Sequence, residues 1–281
     1  MNINSKEYWN HRFDTDWLDY AGDRQTIFFA DLLCQMLPEE LVKEIRANEY
    51  SVCDMGCALG EGVPIYTRKF GVDVDGMDFS EEAIKKAAEM YPDKHFWVGN
   101  LQCLDDAQPY DVVICSNVLE HFNNPWKILK NITQVAQKYI IVMVPYKEQL
   151  KISEHESHFS EDVIPMEVNG FRLMYVDTVD GKAFENSFYP DQQILMVLKK
   201  EQGKDSYFQM LNEVTDGICK SVERKAEEKA EEQEKEYQKK LDEKEIEIRN
   251  LKERFQQQID EKESMVQNLK EQLKSMTKQY Q

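Results

Sequence analysis

Ser51 to Gly60 (Ser-Val-Cys-Asp-Met-Gly-Cys-Ala-Leu-Gly) constrains the chain more than any other stretch. It reads as a short buried strand that stops in a glycine turn. Asp54, Gly56 and Gly60 give the spacing D-x-G-x-x-x-G. Gly56 and Gly60 permit positive φ and close backbone approach. A helix can begin just after, with Pro64 tolerated in its first turn. Strand, glycine turn and helix N-terminus make a cradle, because unpaired N–H groups point into it. A dinucleotide fingerprint requires a second glycine where this chain has Ala58. No G-x-x-x-x-G-K-[ST] phosphate loop is present. An adenosyl ligand without a pyrophosphate fits this cradle best.

The segments that follow repeat one pattern. Val72 to Asp78 reads as a second strand ending in an acid, 22 residues after Gly56. Ser80 is a good N-cap for the next helix. His95 to Asn100, Tyr110 to Ser116 and Tyr139 to Pro145 read as third, fourth and fifth strands, the fourth an unbroken apolar run as in buried parallel strands. Helices are expected over Gln25–Leu37, Pro38–Ala47, the stretch up to Phe70, and from Asn123 to Gln137. Phe171 to Val179 and Gln193 to Lys199 are the last two strands. Alternating strands and helices predict an α/β, doubly wound, right-handed sheet. Ligands of such sheets bind beyond the carboxyl ends of the strands. Gly56, Asp78, Asn100 and Asn117 all fall at those ends.

The glycine turn, Asp78, and Asp111-Val-Val…Val118-Leu-Glu-His121 together resemble class I S-adenosylmethionine (SAM)-dependent methyltransferases of small molecules, sugars and lipids. The resemblance covers about residues 45–200 and implies a seven-stranded Rossmann-like sheet. It implies SAM as methyl donor, no metal, and cofactor contacts from Asp54, Gly56, Cys57, Gly60, Asp78, Phe79, Asn100, Leu101 and Asn117. Asp78 would accept the ribose hydroxyls, and Asn100 would meet adenine or merely shape a turn. A base for a hydroxyl acceptor would come from His121, His155 or His158, with His158, in the loop after the fifth strand, the first choice. The aromatic start (Glu7-Tyr-Trp-Asn-His-Arg-Phe) is also similar to bacterial methyltransferases of surface-polysaccharide pathways, which implies a glycan or other small-molecule acceptor and polysaccharide biosynthesis.

Charge and composition narrow the partners. Net charge is −18; the stretch 221–281 holds 14 Lys+Arg against 16 Asp+Glu, so nearly all the excess acid lies in 1–220. Phosphate backbones are bound by Lys and Arg, so nucleic acid is not an expected partner. Six scattered cysteines without C-x-x-C, and no apolar leader, fit a cytoplasmic location with reduced thiols. The longest apolar run, Tyr139–Tyr146, is too short to span a bilayer, which leaves association with a membrane-bound assembly through a partner.

Residues 1–40 read as an N-terminal helical lid with Trp9, Arg12 or Arg24 over the ligand, 41–200 as the methyltransferase domain, 201–220 as linker, and 221–281 as a coiled coil. That last stretch has no Gly or Pro, and Val266, Leu269, Leu273, Met276 and Tyr280 are spaced 3, 4, 3, 4. A homo-oligomer through 237–281 is expected. The contrasting reading is a catalytically weak scaffold that works through its coiled coil.

Overall fold

The computed structural model describes residues 2–105, 107–184 and 187–201, with single positions at 262, 265 and 270. Apart from Glu201, Lys262, Met265 and Lys270, the expected linker, coiled coil and oligomer seam lie outside the described residues. No described helix is long and apolar enough to cross a membrane.

The chain enters through α1 (Lys6–His11), a π-helical turn (Arg12–Asp16), α2 (Gly22–Met36) and α3 (Glu39–Ala47). The alternation then begins: β1 (Val52–Met55), α4 (Gly62–Phe70), β2 (Val74–Asp78), α5 (Glu81–Met90), β3 (Phe96–Val98), β4 (Tyr110–Ser116), α6 (Pro125–Val135) and β5 (Ala136–Tyr146). Three strands close it: β6 (Glu167–Val168), β7 (Phe171–Asp180) and β8 (Gln192–Lys200). Local chemistry sets the boundaries. Ser80 Oγ accepts from Ala83 N–H to cap α5, Asn124 caps α6 ahead of Pro125, and Gly71 ends α4 at φ 73°.

The sheet order is β3-β2-β1-β4-β5-β8-β7-β6. The first five strands pair in parallel; β8 runs antiparallel to β5 and β7, and β6 antiparallel to β7. The sheet is therefore eight-stranded rather than seven-stranded. The added strand is the two-residue β6, which Gly170 at φ 82° folds back on β7 and which is too short to show a period. Successive side chains of the central strands alternate between two apolar layers. Val112 and Ile114 pack with α2, α3 and α4, while Val113 and Cys115 pack with Ile128, Leu129 and Ile132 of α6.

The order reverses between β1 and β4, which pair directly while their chain connections leave in opposite directions. That switch point opens a crevice at the carboxyl ends of the strands. Ile114, fully buried and in register between Asp54 of β1 and Ile141 of β5, holds the sheet behind it. Ile114→Ala is expected to cost about 2–5 kcal/mol of stability, read as a lower urea midpoint with an unchanged slope.

Candidate functional site: the crevice at the switch point

The glycine turn is shaped by contacts on both sides. Gly56 has φ 92° and its amide donates to Met77 O at 2.7 Å; a Cβ there would stand 2.4 Å from Val118 Cγ2. Gly60 has φ 83°, and a Cβ would stand 2.7 Å from the Phe96 ring. Larger residues are thus excluded at both positions, by strain and by space. Ala58 carries the left-handed conformation between them at φ 50°. Its amide donates to Asp78 Oδ2 at 3.1 Å, while Ser80 N–H donates to Asp78 Oδ1 at 2.9 Å.

Two cavities meet over this turn. The larger, about 730 Å³, is lined by Asp78, Phe79, Asn100, Leu101 and Gly99 at the ends of β2 and β3. The smaller, about 200 Å³, is lined by Asp54, Cys57, Tyr66, Glu120, His155 and Tyr189. Trp9, Trp17, Gly56, Ala58, Asn117 and His121 line both. Asn117 adopts φ 52°, its amide donating to Met143 O at 2.7 Å. Of the residues marked from sequence, Gly60 lines neither cavity and acts through shape. Asn100 lines the larger one, but its Oδ1 accepts from Gln102 N–H at 2.9 Å, so the side chain also closes an Asx turn.

The N-terminal segment straps the crevice. Tyr8 Oη donates to Glu154 Oε1 at 2.6 Å, and Asn4 Nδ2 donates to the carbonyls of His121 and Glu154 at 3.1 and 2.8 Å. On the opposite wall Ser80 Oγ donates to Asn10 Oδ1 at 2.6 Å, and Lys86 Nζ to Phe13 O at 2.9 Å. Trp9 meets the His121 ring edge-on at 5.1 Å. Arg12 lines the smaller cavity; Arg24 instead lies over Phe188.

The histidines sort differently from the sequence expectation. His158 is 62% exposed, lines neither cavity, and its Nδ1 stands 3.4 Å from Glu148 Oε2. His155, three residues earlier, lines the smaller cavity, its Nδ1 2.8 Å from Glu148 Oε1. The Glu148 side chain is buried and also accepts from Tyr189 Oη at 2.5 Å. His121 donates from Nδ1 to Glu154 O at 3.0 Å and packs against the His155 ring at 5.3 Å. Glu120 (1% exposed) sits beside them, its Oε2 without a hydrogen-bond partner. The sequence carried no signal that separated His155 from His158, or that singled out Glu120 and Glu148.

Burial governs the titration of the acids around the crevice. Burial raises Asp78 to about 6, against the amides of Ser80 and Ala58 that lower it. Burial, with the Asp78 charge second, raises Asp54 to about 7. Burial raises Glu61 to about 7 and Glu120 to about 8, and pulls His121 down to about 4, leaving that ring neutral near pH 7.

The methyltransferase domain family matches residues 20–162, half of the chain. The chain belongs to that family. Over 122 residues it is 29% identical to the ubiquinone biosynthesis O-methyltransferase of Coxiella burnetii, covering 41% of this chain and 50% of that protein. It is 25% identical over 134 residues to the trans-aconitate 2-methyltransferase of Agrobacterium fabrum, covering 47% and 49%. The chain spans about half the length of the curated relatives it matches. Among solved structures, the plantazolicin methyltransferase BpumL in complex with SAH superposes with a TM-score of 0.50 at 16% identity, covering 70% of this chain and 95% of that one. The shared feature is the fold.

The family's donor is SAM, and the crevice fits it. A cavity of about 730 Å³ falls in the range of small-molecule sites. It offers a buried carboxylate whose two oxygens are already oriented by backbone amides, beside the apolar flanks of Phe79 and Leu101.

The buried acids set a pH dependence. A carboxyl whose folded pKa lies above its unfolded value binds its proton more tightly when folded, so its stability contribution is present at low pH and lost as pH rises. His121 has the opposite sign, but only between about 4 and 6.5. From pH 6.5 to 8 the acids alone remain, so the urea midpoint should fall over that window, and less steeply in Asp54→Asn. A midpoint that rises from pH 6.5 to 8 would contradict this electrostatic description.

Proposed function

We propose that the protein binds SAM with its nucleoside in the larger cavity and its methionine end reaching into the smaller one, and methylates an oxygen of a small-molecule or glycan acceptor held at the Glu120 end of the smaller cavity. The observation that carries this reading is Asp78. Its carboxylate, fixed by Ala58 and Ser80 amides, opens onto a cavity bounded by the glycine turn. It would accept both ribose hydroxyls. Phe79 and Leu101 would flank the adenine, and Asn100 has its Nδ2 left to meet a ring nitrogen. The backbone at Gly56, with Asp54, Cys57 and Asn117 around it, would hold the methionine end; Gly60 keeps the turn tight. SAM supplies a methyl group on sulfonium sulfur, already activated for in-line displacement. The chain's task is then to hold the acceptor in line and exclude water, and positioning supplies much of the rate.

The acceptor end lies at Glu120, His121 and His155 of the smaller cavity, with His121 also lining the larger one. A hydroxyl proton would leave toward these groups. His121, marked from sequence, keeps a place in this reading. His158, exposed beyond the Glu148 pair, is left at the outer rim of the loop. An oxygen acceptor also agrees with the names of the Coxiella relative and with neutral imidazole beside the crevice. The finer readings remain proposals from sequence: a sugar acceptor of a surface-polysaccharide pathway, a cytoplasmic location, and a homo-oligomer joined through 237–281.

Calorimetry tests the core of this. SAM should bind the wild type, and Asp78→Ala, folded by circular dichroism, should bind about 10- to 100-fold more weakly, as loss of hydrogen bonds to a charged group implies. No heat with SAM on the wild type would sink the proposal. For the tail, light scattering should show the full chain as an oligomer and a 1–220 truncation as a smaller species; equal states in both would refute the coiled-coil role.

A further inference from the structure

We propose that Glu120, His121 and His155 form a binding site for one divalent first-row transition metal, at the acceptor end of the crevice. One carboxylate oxygen and one ring nitrogen from each histidine lie within 4.8 Å of one another. Ligands at zinc-like bond lengths of 2.0–2.2 Å stand roughly 3.3 Å apart, so small side-chain rotations close the set.

Three observations point to an ion rather than to chance proximity. First, both rings are oriented from outside. His121 Nδ1 is held by the Glu154 carbonyl at 3.0 Å, and His155 Nδ1 by Glu148 at 2.8 Å. A carbonyl can only accept, so His121 carries its proton on Nδ1 and keeps the Nε2 lone pair. The Glu148 carboxylate selects the same tautomer in His155. Ligand histidines are characteristically held this way, by a carbonyl or carboxylate on the other nitrogen. Second, Glu120 is 1% exposed, yet its Oε2 has no hydrogen-bond partner and it forms no ion pair among the described residues. A buried carboxylate oxygen without a partner is costly unless something binds it. Third, the cluster lines the cavity shared with Gly56 and Asn117, so coordination positions beyond the three protein ligands face the crevice. Three protein ligands with an open side are the arrangement of a reactive rather than a closed structural site. Two imidazoles and one carboxylate favour zinc, cobalt, nickel, iron or manganese over calcium or magnesium.

This inference rests on the acceptor reading above for its role, with the three groups holding the ion instead of taking the proton: an acceptor hydroxyl bound to the ion would be acidified, its proton leaving to bulk water and its oxygen staying in line. The site itself is tested separately. The full-length protein, stripped with chelator and titrated with Co(II), should give one equivalent of binding with a visible d–d band that Zn(II) abolishes. His155→Ala should lose the band while keeping SAM affinity within about twofold. Glu148→Gln, which touches only the outer nitrogen, should weaken Co(II) about 10- to 100-fold. If His155→Ala loses its circular dichroism signal, Glu120→Gln takes its place, with the same expected loss. No stoichiometric band in the wild type, or an undiminished one in these variants, overturns the proposal. Co(II) binding without SAM binding would keep the metal site and refute the methyl-transfer reading instead.

Discussion

The crevice depends on one shared carboxylate. Asp78 ends β2, and its two oxygens take the amides of Ala58 and Ser80. One residue thereby ties the glycine turn after β1 to the first turn of α5. Two charge-assisted bonds to backbone donors fix the floor of the larger cavity. The side chain that would bind a ligand is therefore the one that organises the ligand's cradle. A preorganised carboxylate needs little rearrangement when hydroxyls arrive.

Burying the acids of this crevice costs stability. Asp54, Asp78 and Glu120 are each withdrawn from water, and burial raises all three. No lysine or arginine forms an ion pair with any of them among the described residues. Uncompensated buried acids are a poor structural choice and a good functional one, because a cationic ligand relieves them. A sulfonium donor is such a ligand, and so is a divalent ion at the Glu120 end.

Most of this architecture was legible in the sequence because parallel central strands announce themselves. Tyr110–Ser116 and Tyr139–Tyr146 are apolar on both faces, and Gly71, Ser80 and Asn124 mark helix ends by their own chemistry. The cradle was legible because Gly56 and Gly60 have steric reasons to be glycine. The acceptor end was not. Ser153-Glu-His-Glu-Ser-His158 lies in an irregular loop, where no period says which side chain turns inward. What turns His155 in is Glu148, and what holds Glu148 is Tyr189, 41 residues away. Glu120 was hidden for a similar reason: it lies in a single 3-10 turn, Leu119–His121, whose burial is decided by the loop folded over it. There the amides of Glu156 and Ser157 both bond to the Glu120 carbonyl.

These long-range contacts also bear on how a substrate enters. The N-terminal segment reaches both walls, through Tyr8 and Asn4 to the His155 loop and through Asn10 and Phe13 to α5. Trp9 lines both cavities and touches His121 between these anchors. Several of the straps are hydrogen bonds of partly buried or exposed side chains, each worth about 0.5–1.5 kcal/mol. The apolar contact of Trp9, Phe13 and Trp17 with Ala58, Leu59 and Ala83 is the more durable part. On the acceptor side the segment is held by the polar contacts of Asn4 and Tyr8 and by the Trp9 ring against His121, and on the donor side by its aromatic anchor. Donor and acceptor would meet where the two cavities share Asn117 and His121 with Gly56 and Ala58 of the glycine turn.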